Sequence, residues 1–363
     1  MAETRTLKSY ASLSDIVKTA LVVIATVIVA GSGFSLLKAN VLPQVPTTLV
    51  AIVWGVSSVI LIFYSLNLLA QIFPTKVYNK IVPYIFIGPA VLIMGWYLLL
   101  PTLRSLLLSF MDKTSTHFVW FDNYKFLFSD RSMLVSIRNT LIWLVCGTGF
   151  SVFIGLVVAI LAERSYIEKG TKTFIFLPMS ISLVGAGVIF KFMYAAKFGG
   201  AEQIGLLNAI VTSLGGNPQN WLGKAPWNNF FLIAIFVWLQ TGFALVVLSA
   251  ALKAVPEEML EAARIDGANE FTTLVKIVIP NIKASIISVS TTILLAALKC
   301  FDIVYSMTNG MFGTEVLASQ QYKQMFTFQN YGRGSAIAIL ILIGVSPVIY
   351  YNLKEFHNKE AFK

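Results

Sequence analysis

Eight mostly apolar stretches, near 19–37, 48–73, 83–108, 139–162, 173–194, 229–252, 284–307 and 334–353, dominate this chain of 363 residues. Each is close to the roughly 20 residues that a helix needs to cross a hydrocarbon layer about 30 Å thick. No water is available there, so the backbone must satisfy its own hydrogen bonds, and a helix does so within one segment. The expectation is an all-α, polytopic membrane protein with about eight transmembrane helices. Residues that are 57% hydrophobic and only 12% charged exclude an ordinary soluble domain.

The net charge of +10 would suit nucleic acid, but the basic residues are scattered over many loops and form no dense run. Orientation explains them better. With a cytoplasmic N-terminus, the inside segments hold Arg5, Lys8, Lys18, Lys76, Lys80, Arg164, Lys169, Lys172, Lys253, Arg264, Lys276, Lys283, Lys354, Lys359 and Lys363. The outside loops hold only Lys38, Lys113, Lys125, Arg131, Arg138, Lys197, Lys224, Lys323 and Arg333. That bias is the positive-inside pattern, and it puts both termini in the cytoplasm with lipid around the spans. Cys146 and Cys300 lie in predicted helices, so no disulfide framework is expected, and isolated His117 and His357 offer no metal site. The first apolar segment is read as an uncleaved anchor, since no clean Ala-x-Ala site follows it.

The stretch from Lys253 to Lys283 is the longest polar interruption that also reads as helical. Pro256 suits a first helical position, Glu257 and Glu258 complement the positive end of the helix dipole, and Arg264 falls in the last turn. Asp266-Gly267 supplies a stop, and a second helix begins at Asn269 and is expected to end before Pro280. Two short helices on a membrane face result. By physics alone they are either an interfacial hairpin or a docking elbow: Ala262 and Ala263 allow a partner close, and Glu261 projects one charge from a small face.

The spacing of Glu261, Ala262, Ala263, Asp266 and Gly267, closed by Ile279-Pro280, resembles the cytoplasmic coupling loop of binding-protein-dependent ABC importer permeases of the maltose type. Glu258 belongs to the same loop. The resemblance implies the transmembrane-domain fold of a type I ABC importer, with the loop seated in a cleft of an ATPase. It also implies a heterodimer with a second permease, two ATPase subunits and an extracytoplasmic sugar-binding protein, in a bacterial plasma membrane. Residues 81–353 would form the six-helix core, 1–80 a tail and two extra spans, and 354–363 a cytoplasmic tail.

Further motifs fall along that core. Pro74, Lys76 and Lys80 are read as a short turn before a third span loosened by Pro83, Pro89 and Pro101. Residues 118–124 resemble the family's phenylalanine to Asp-Asn-Tyr signature and read as interfacial aromatics or a binding-protein contact. Arg138-Asn139-Thr140 opens the fourth span, with Asn139 as a cap or an interhelical bonder. Pro178 with Ser180, Ser182, Gly185, Ala186 and Gly187 predicts kinking and close approach in the fifth span. The loop at 195–228 should carry a short helix over 204–214.

Candidate substrate-pathway residues are Ser182, Gln240, Thr241, Asp302 and Tyr305. An amide such as Gln240 in mid-membrane must face the bundle or water, for a substrate hydroxyl or for another helix. Lys299 and Asp302, three residues apart, should share a helical face and partly neutralise each other. They precede Thr308-Asn309-Gly310-Met311-Phe312, which departs from the family's Thr-x-Gly-Gly-Pro. Residues 312–318 and 332–336 resemble the alpha-glucoside subfamily, which implies a maltose, trehalose or sucrose type of substrate.

No Gly-x-x-x-x-Gly-Lys-Ser/Thr occurs, so the chain lacks its own phosphate cradle. It is not expected to be an enzyme or to bind a cofactor; ATP and Mg would belong to the partner ATPases. An ion-coupled transporter or channel would need intramembrane carboxylates, and Asp302 is the only one legible in mid-span. An intramembrane enzyme would need a nucleophile and base that are not apparent.

Overall fold

A computed structural model describes residues 12–41, 43–163 and 165–360. Arg5, Lys8, Arg164 and Lys363 of the inside tally lie outside the described residues, as do the side chains of His357 and Lys359. The chain divides into two compact units, 1–103 and 104–363.

In the first unit, α1 (Leu13–Ala39) starts on a Ser12–Asp15 capping box and ends at Asn40 in the left-handed region. It pairs with α2 (Gln44–Gln71) through a buried hydroxyl pair, Thr26 and Ser65 at 2.7 Å, and a bond from Trp54 Nε1 to the Val29 carbonyl. The third helix, α3 (Thr75–Leu108), begins directly after Pro74, so Lys76 and Lys80 sit in helix and not in the expected turn. Its prolines do not end it. A π turn at Gly95–Leu99 takes up the extra residue before Pro101, and such turns relieve the local clash with an earlier carbonyl.

The second unit takes in the end of α3 and then a tight loop bridged between Met111 and Phe118. Asn123 donates to the Ser109 and Met111 carbonyls, so within the Asp-Asn-Tyr signature this amide holds the loop itself. Phe118, Trp120 and Phe121 stay exposed. A short α4 (Asp122–Ser129) leads to α5 (Arg131–Glu163), which Asp130 caps through the Ser132 and Met133 amides. The fourth span therefore starts earlier than expected, and Asn139 is no cap: it is fully buried mid-helix and bonds another element.

Next comes a broken span, α6 (Glu168–Ser180) and α7 (Leu183–Met193), bent by 100°. The kink falls where Pro178 and the small residues predicted it, and the Ser182 hydroxyl caps α7 by accepting from the Gly185 amide at 3.1 Å. A surface helix, α8 (Leu206–Ser213), matches its expected place and is anchored by Asn208 to the Ala195 and Gln219 carbonyls. The long α9 (Trp227–Lys253) is the most buried of the spans. Its Phe236 meets Trp143 of α5 edge-on at 5.9 Å, in a core with Leu245, Leu248, Ile293 and Ile303.

Beyond it lie α10 (Glu257–Ile265), α11 (Glu270–Asn281) and α12 (Lys283–Leu298), the last two bent by 69°. The expectation that Pro280 ends the second elbow helix is overturned. A π turn at Leu274–Val278 precedes it, and the helix runs through Pro280 to turn only at Ile282. The seventh span is also not one helix. It breaks at residues 299–301 before α13 (Asp302–Thr308), so Lys299 and Asp302 flank the break and no ion pair joins them among the described residues. Local sequence could not show this, because the break depends on what the freed backbone finds elsewhere.

It finds a great deal. Residues 309–316, with Asn309 and Phe312 at positive φ, are tied to three helices. Asn139 donates to the Gly313 and Glu315 carbonyls at 2.7 and 2.8 Å, Asn228 to the Phe312 carbonyl at 2.9 Å, and the Leu317 amide to the Thr140 hydroxyl at 2.9 Å. Glu315 is buried in an ion pair with Lys323 and accepts from Ser319. Residues read as an exposed loop then form α14 (317–327), before the final α15 (Tyr331–Glu360). Among the described residues, six helices are long and apolar enough to cross a membrane, or up to eight when each bent pair counts as one span.

Replacing Asn139 by Leu removes two hydrogen bonds, strands the buried Glu315 carbonyl and should cost about 2–3 kcal/mol. A lowered apparent melting temperature of the purified protein in detergent would register the loss; an unchanged one would show the bonds to be dispensable.

Candidate functional site

The elbow between α9 and α12 is built from its caps. Pro256 is the N-cap of α10 and not its first helical residue, and Glu257 and Glu258 follow in the first turn. At the other end Asp266 is the C-cap and Gly267 lies at φ +77°. Gly267 N–H donates to the Arg264 carbonyl and Ala268 N–H to the Ala263 carbonyl, the paired bonds of a Schellman closure. This conformation strongly favours glycine, and the space around the Gly267 Cα is open. Asn269 then caps α11 by accepting from Thr272 at 2.8 Å.

The two alanines divide their work. Ala263 is buried against the rest of its unit, and Ala262 faces outward with Glu258, Glu261, Asp266 and Gly267. One step of about 100° around a helix separates neighbouring residues, so both cannot serve a partner. Ile279 is half-buried and Pro280 exposed. Two residues that sequence reading missed complete the surface: Ile265 is 86% exposed and Phe271 74% exposed. The sequence shows them only as apolar residues on either side of the turn, with no signal that they are left bare. Both stand beside the polar turn.

An ionic joint lies immediately upstream. Lys253, the last residue of α9, reaches Glu168 at 2.5 Å and Glu163 at 3.3 Å. Lys172 reaches the same two carboxylates at 2.5 and 2.6 Å, and the Ser249 hydroxyl donates to Glu163. Three chain segments, the end of α5, the start of the broken span and the end of α9, are thereby fastened together. Isolated exposed pairs contribute little, but a shared, partly buried network fixes geometry.

The pathway candidates are dispersed along α7, α9 and α13. Ser182 is the α7 cap, and the Thr241 hydroxyl is buried and donates to the Val237 carbonyl at 2.7 Å. Gln240 is half-buried, and its amide makes no hydrogen bond among the described residues. Beside it, a Cβ on Gly242 would stand 2.7 Å from the Ile175 carbonyl, so α9 and the broken span touch backbone to backbone. Asp302 is half-buried and Tyr305 is exposed. Among the described residues no cluster of His, Cys, Asp or Glu could hold a metal ion.

Broken spans around a packed central helix, with a capped elbow between two of them, define a multi-pass permease subunit that works with partners. Residues 151–361, more than half of the chain, match the model of the binding-protein-dependent transport system inner membrane component, and the chain belongs to that family of ABC importer permeases. It is 51% identical over 278 residues to the osmoprotective compounds uptake permease protein GgtC of Synechocystis sp., covering 77% of this chain and all of that one. It is 43% identical to the alpha-glucoside transport system permease protein AglF of Rhizobium meliloti, over 86% of this chain and 97% of the other. A crystal structure of a bacterial alginate ABC transporter, in complex with an alginate pentasaccharide-bound periplasmic protein, superposes with a TM-score of 0.66 at 18% identity. That match covers 76% of this chain and 94% of that one, and it shows the fold. The subunit is therefore non-catalytic, one membrane component of an importer with ATPase and binding-protein partners.

Two outcomes follow from the elbow. Gly267→Asp should reduce uptake at least about tenfold with normal membrane insertion, because it strains the Schellman turn and adds a charge; unchanged uptake would count against a coupling role. Glu163→Gln should lower the substrate moved per ATP hydrolysed severalfold in the reconstituted complex, read as the ratio of uptake to phosphate release.

Proposed function

We propose that this chain is one of two different permease subunits in an importer of glucosylated compounds, either alpha-glucosides of the maltose, trehalose or sucrose type or related osmoprotectants. The relatives at 51% and 43% identity support that substrate class, and the motifs at 312–318 and 332–336 agree with it. Two cytoplasmic ATPases supply ATP and Mg, and this chain binds neither. A soluble extracytoplasmic protein delivers the sugar, and both termini face the cytoplasm. Residues 1–80 add a tail and a helix pair to a core over 81–353; that 77% of this chain suffices to match all of one relative is consistent with the addition.

The carrying observation is the elbow, a glycine-closed turn with an open outer surface between Ile265 and Phe271. In the proposed cycle an ATPase cleft holds Glu258, Glu261, Ala262, Asp266 and Gly267, with Ala263, Ile279 and Pro280 setting the turn against the spans. Closure of the ATPases pushes α10, and the ionic joint passes the displacement to the broken span. The bundle then changes which side it opens to, a two-state element biased by its partners. Along the pathway Gln240 offers its amide to substrate hydroxyls, with Ser182, Thr241, Asp302 and Tyr305 at other levels.

Gln240→Leu should cut uptake of whichever of maltose, trehalose and sucrose the reconstituted transporter carries by about tenfold, one hydrogen bond's worth, with the complex still assembled. Loss of assembly would instead assign Gln240 to subunit packing. Uptake without the ATPases would overturn the importer mechanism itself.

A further inference from the structure

Four aromatic side chains gather where α12 and α13 part. Phe301 and Tyr305 are four residues apart on one element, and Tyr322 and Phe326 four apart on another, so each pair shares a helical face. Ring centroids lie 4.9 Å apart for Phe301 and Tyr305, 4.6 Å for Phe301 and Tyr322, 5.6 Å for Tyr305 and Tyr322, and 5.1 Å for Tyr322 and Phe326. The ladder is not core. Tyr305 is 46% and Phe326 65% exposed.

A cavity of about 260 Å³ opens beside the ladder, lined among others by Lys299, Phe301, Gln321, Tyr322, Phe326 and Ile341. The Lys299 ammonium and the Gln321 amide make no hydrogen bond or ion pair among the described residues. Lys299 caps the 16-residue α12, which at about 1.5 Å per residue carries it some 24 Å from the elbow. That is most of the way across a hydrocarbon layer about 30 Å thick but still within it. A charged side chain at such depth faces a bundle interior or a water-filled space and not lipid tails.

We infer that this cavity is a platform on which one ring of a neutral, polyhydroxylated substrate rests during passage. The C–H face of a pyranose is apolar and packs on aromatic faces, while its hydroxyls accept from the three donors of an ammonium and exchange bonds with an amide and with Tyr hydroxyls. The volume falls just below the usual range for small-ligand pockets, about 300–1,000 Å³, and so suits a single ring. The helix break is what frees Lys299 for this role, because a continuous span would have set it beside Asp302. The inference rests on the glucoside reading above and adds to it a contact region at residues 299–326, separate from Gln240.

The test uses the complete transporter in lipid nanodiscs with Cys146→Ser, Cys300→Ser and Phe326→Cys. A charged methanethiosulfonate reagent should modify the new thiol, and the sugar that the unmodified complex carries, among maltose, trehalose and sucrose, should slow the reaction severalfold. No modification, meaning that lipid or the second permease covers the site, would overturn the inference, as would modification that sugar leaves unchanged. In parallel, Tyr322→Leu should lower uptake about tenfold and Tyr322→Phe should restore it, with assembly and ATP hydrolysis intact in both. Loss of the second permease on purification of Tyr322→Leu would make the ladder a subunit interface instead. Failure of the unmodified complex to carry any of the three sugars would defeat the glucoside reading and this inference together, whereas sugar uptake indifferent to the ladder defeats only this one.

Discussion

Irregular backbone is tolerated at membrane depth only where protein groups complete its hydrogen bonds, and this constraint decides the shape of the second unit. Two spans are bent, and a third is interrupted twice, at 299–301 and again at 309–316 on either side of α13. At two of these places a side chain completes the backbone's bonds. Ser182 restores a bond at the first bend, while Asn139 and Thr140 of α5 and Asn228 of α9 hold the irregular segment after α13 from two helices. The breaks are thus properties of the assembled bundle and not of the segments that contain them.

The same bundle ties the base of the elbow to the interior. The last turn of α9 is shared between the core, where Leu245 and Leu248 are fully buried, and the ionic joint at Lys253. The joint in turn grips the start of α6, whose far end rests against Gly242 backbone to backbone. Elbow, joint and bend are therefore linked by contiguous contacts.

Much of this was legible in the residues. Hydrophobic length alone located the spans, and Asn269, Asp266 and Gly267 announced the elbow's caps, because capping is a local interaction between neighbours in sequence. Local reasoning failed where distant partners intervene. Pro280 was expected to stop a helix that a π turn lets continue, Asn139 bonds carbonyls some 175 residues away, and Lys299 was assigned to Asp302 across a break with no signature of its own. Among the site residues, Glu261, Ala262 and Gly267 could be named from their spacing. Ile265 and Phe271 could not, since nothing local distinguishes an apolar residue that is covered from one left bare.

The fastening at the base of the elbow also has a property that its parts lack. Glu163 and Glu168 together carry two negative charges and Lys172 and Lys253 two positive ones, so the quartet is neutral. A transmembrane voltage does work on net charge displaced through it, about 2.3 kcal/mol per charge per 100 mV. Moving this knot as a body would displace no net charge, so the quartet itself is indifferent to the membrane's electrical field.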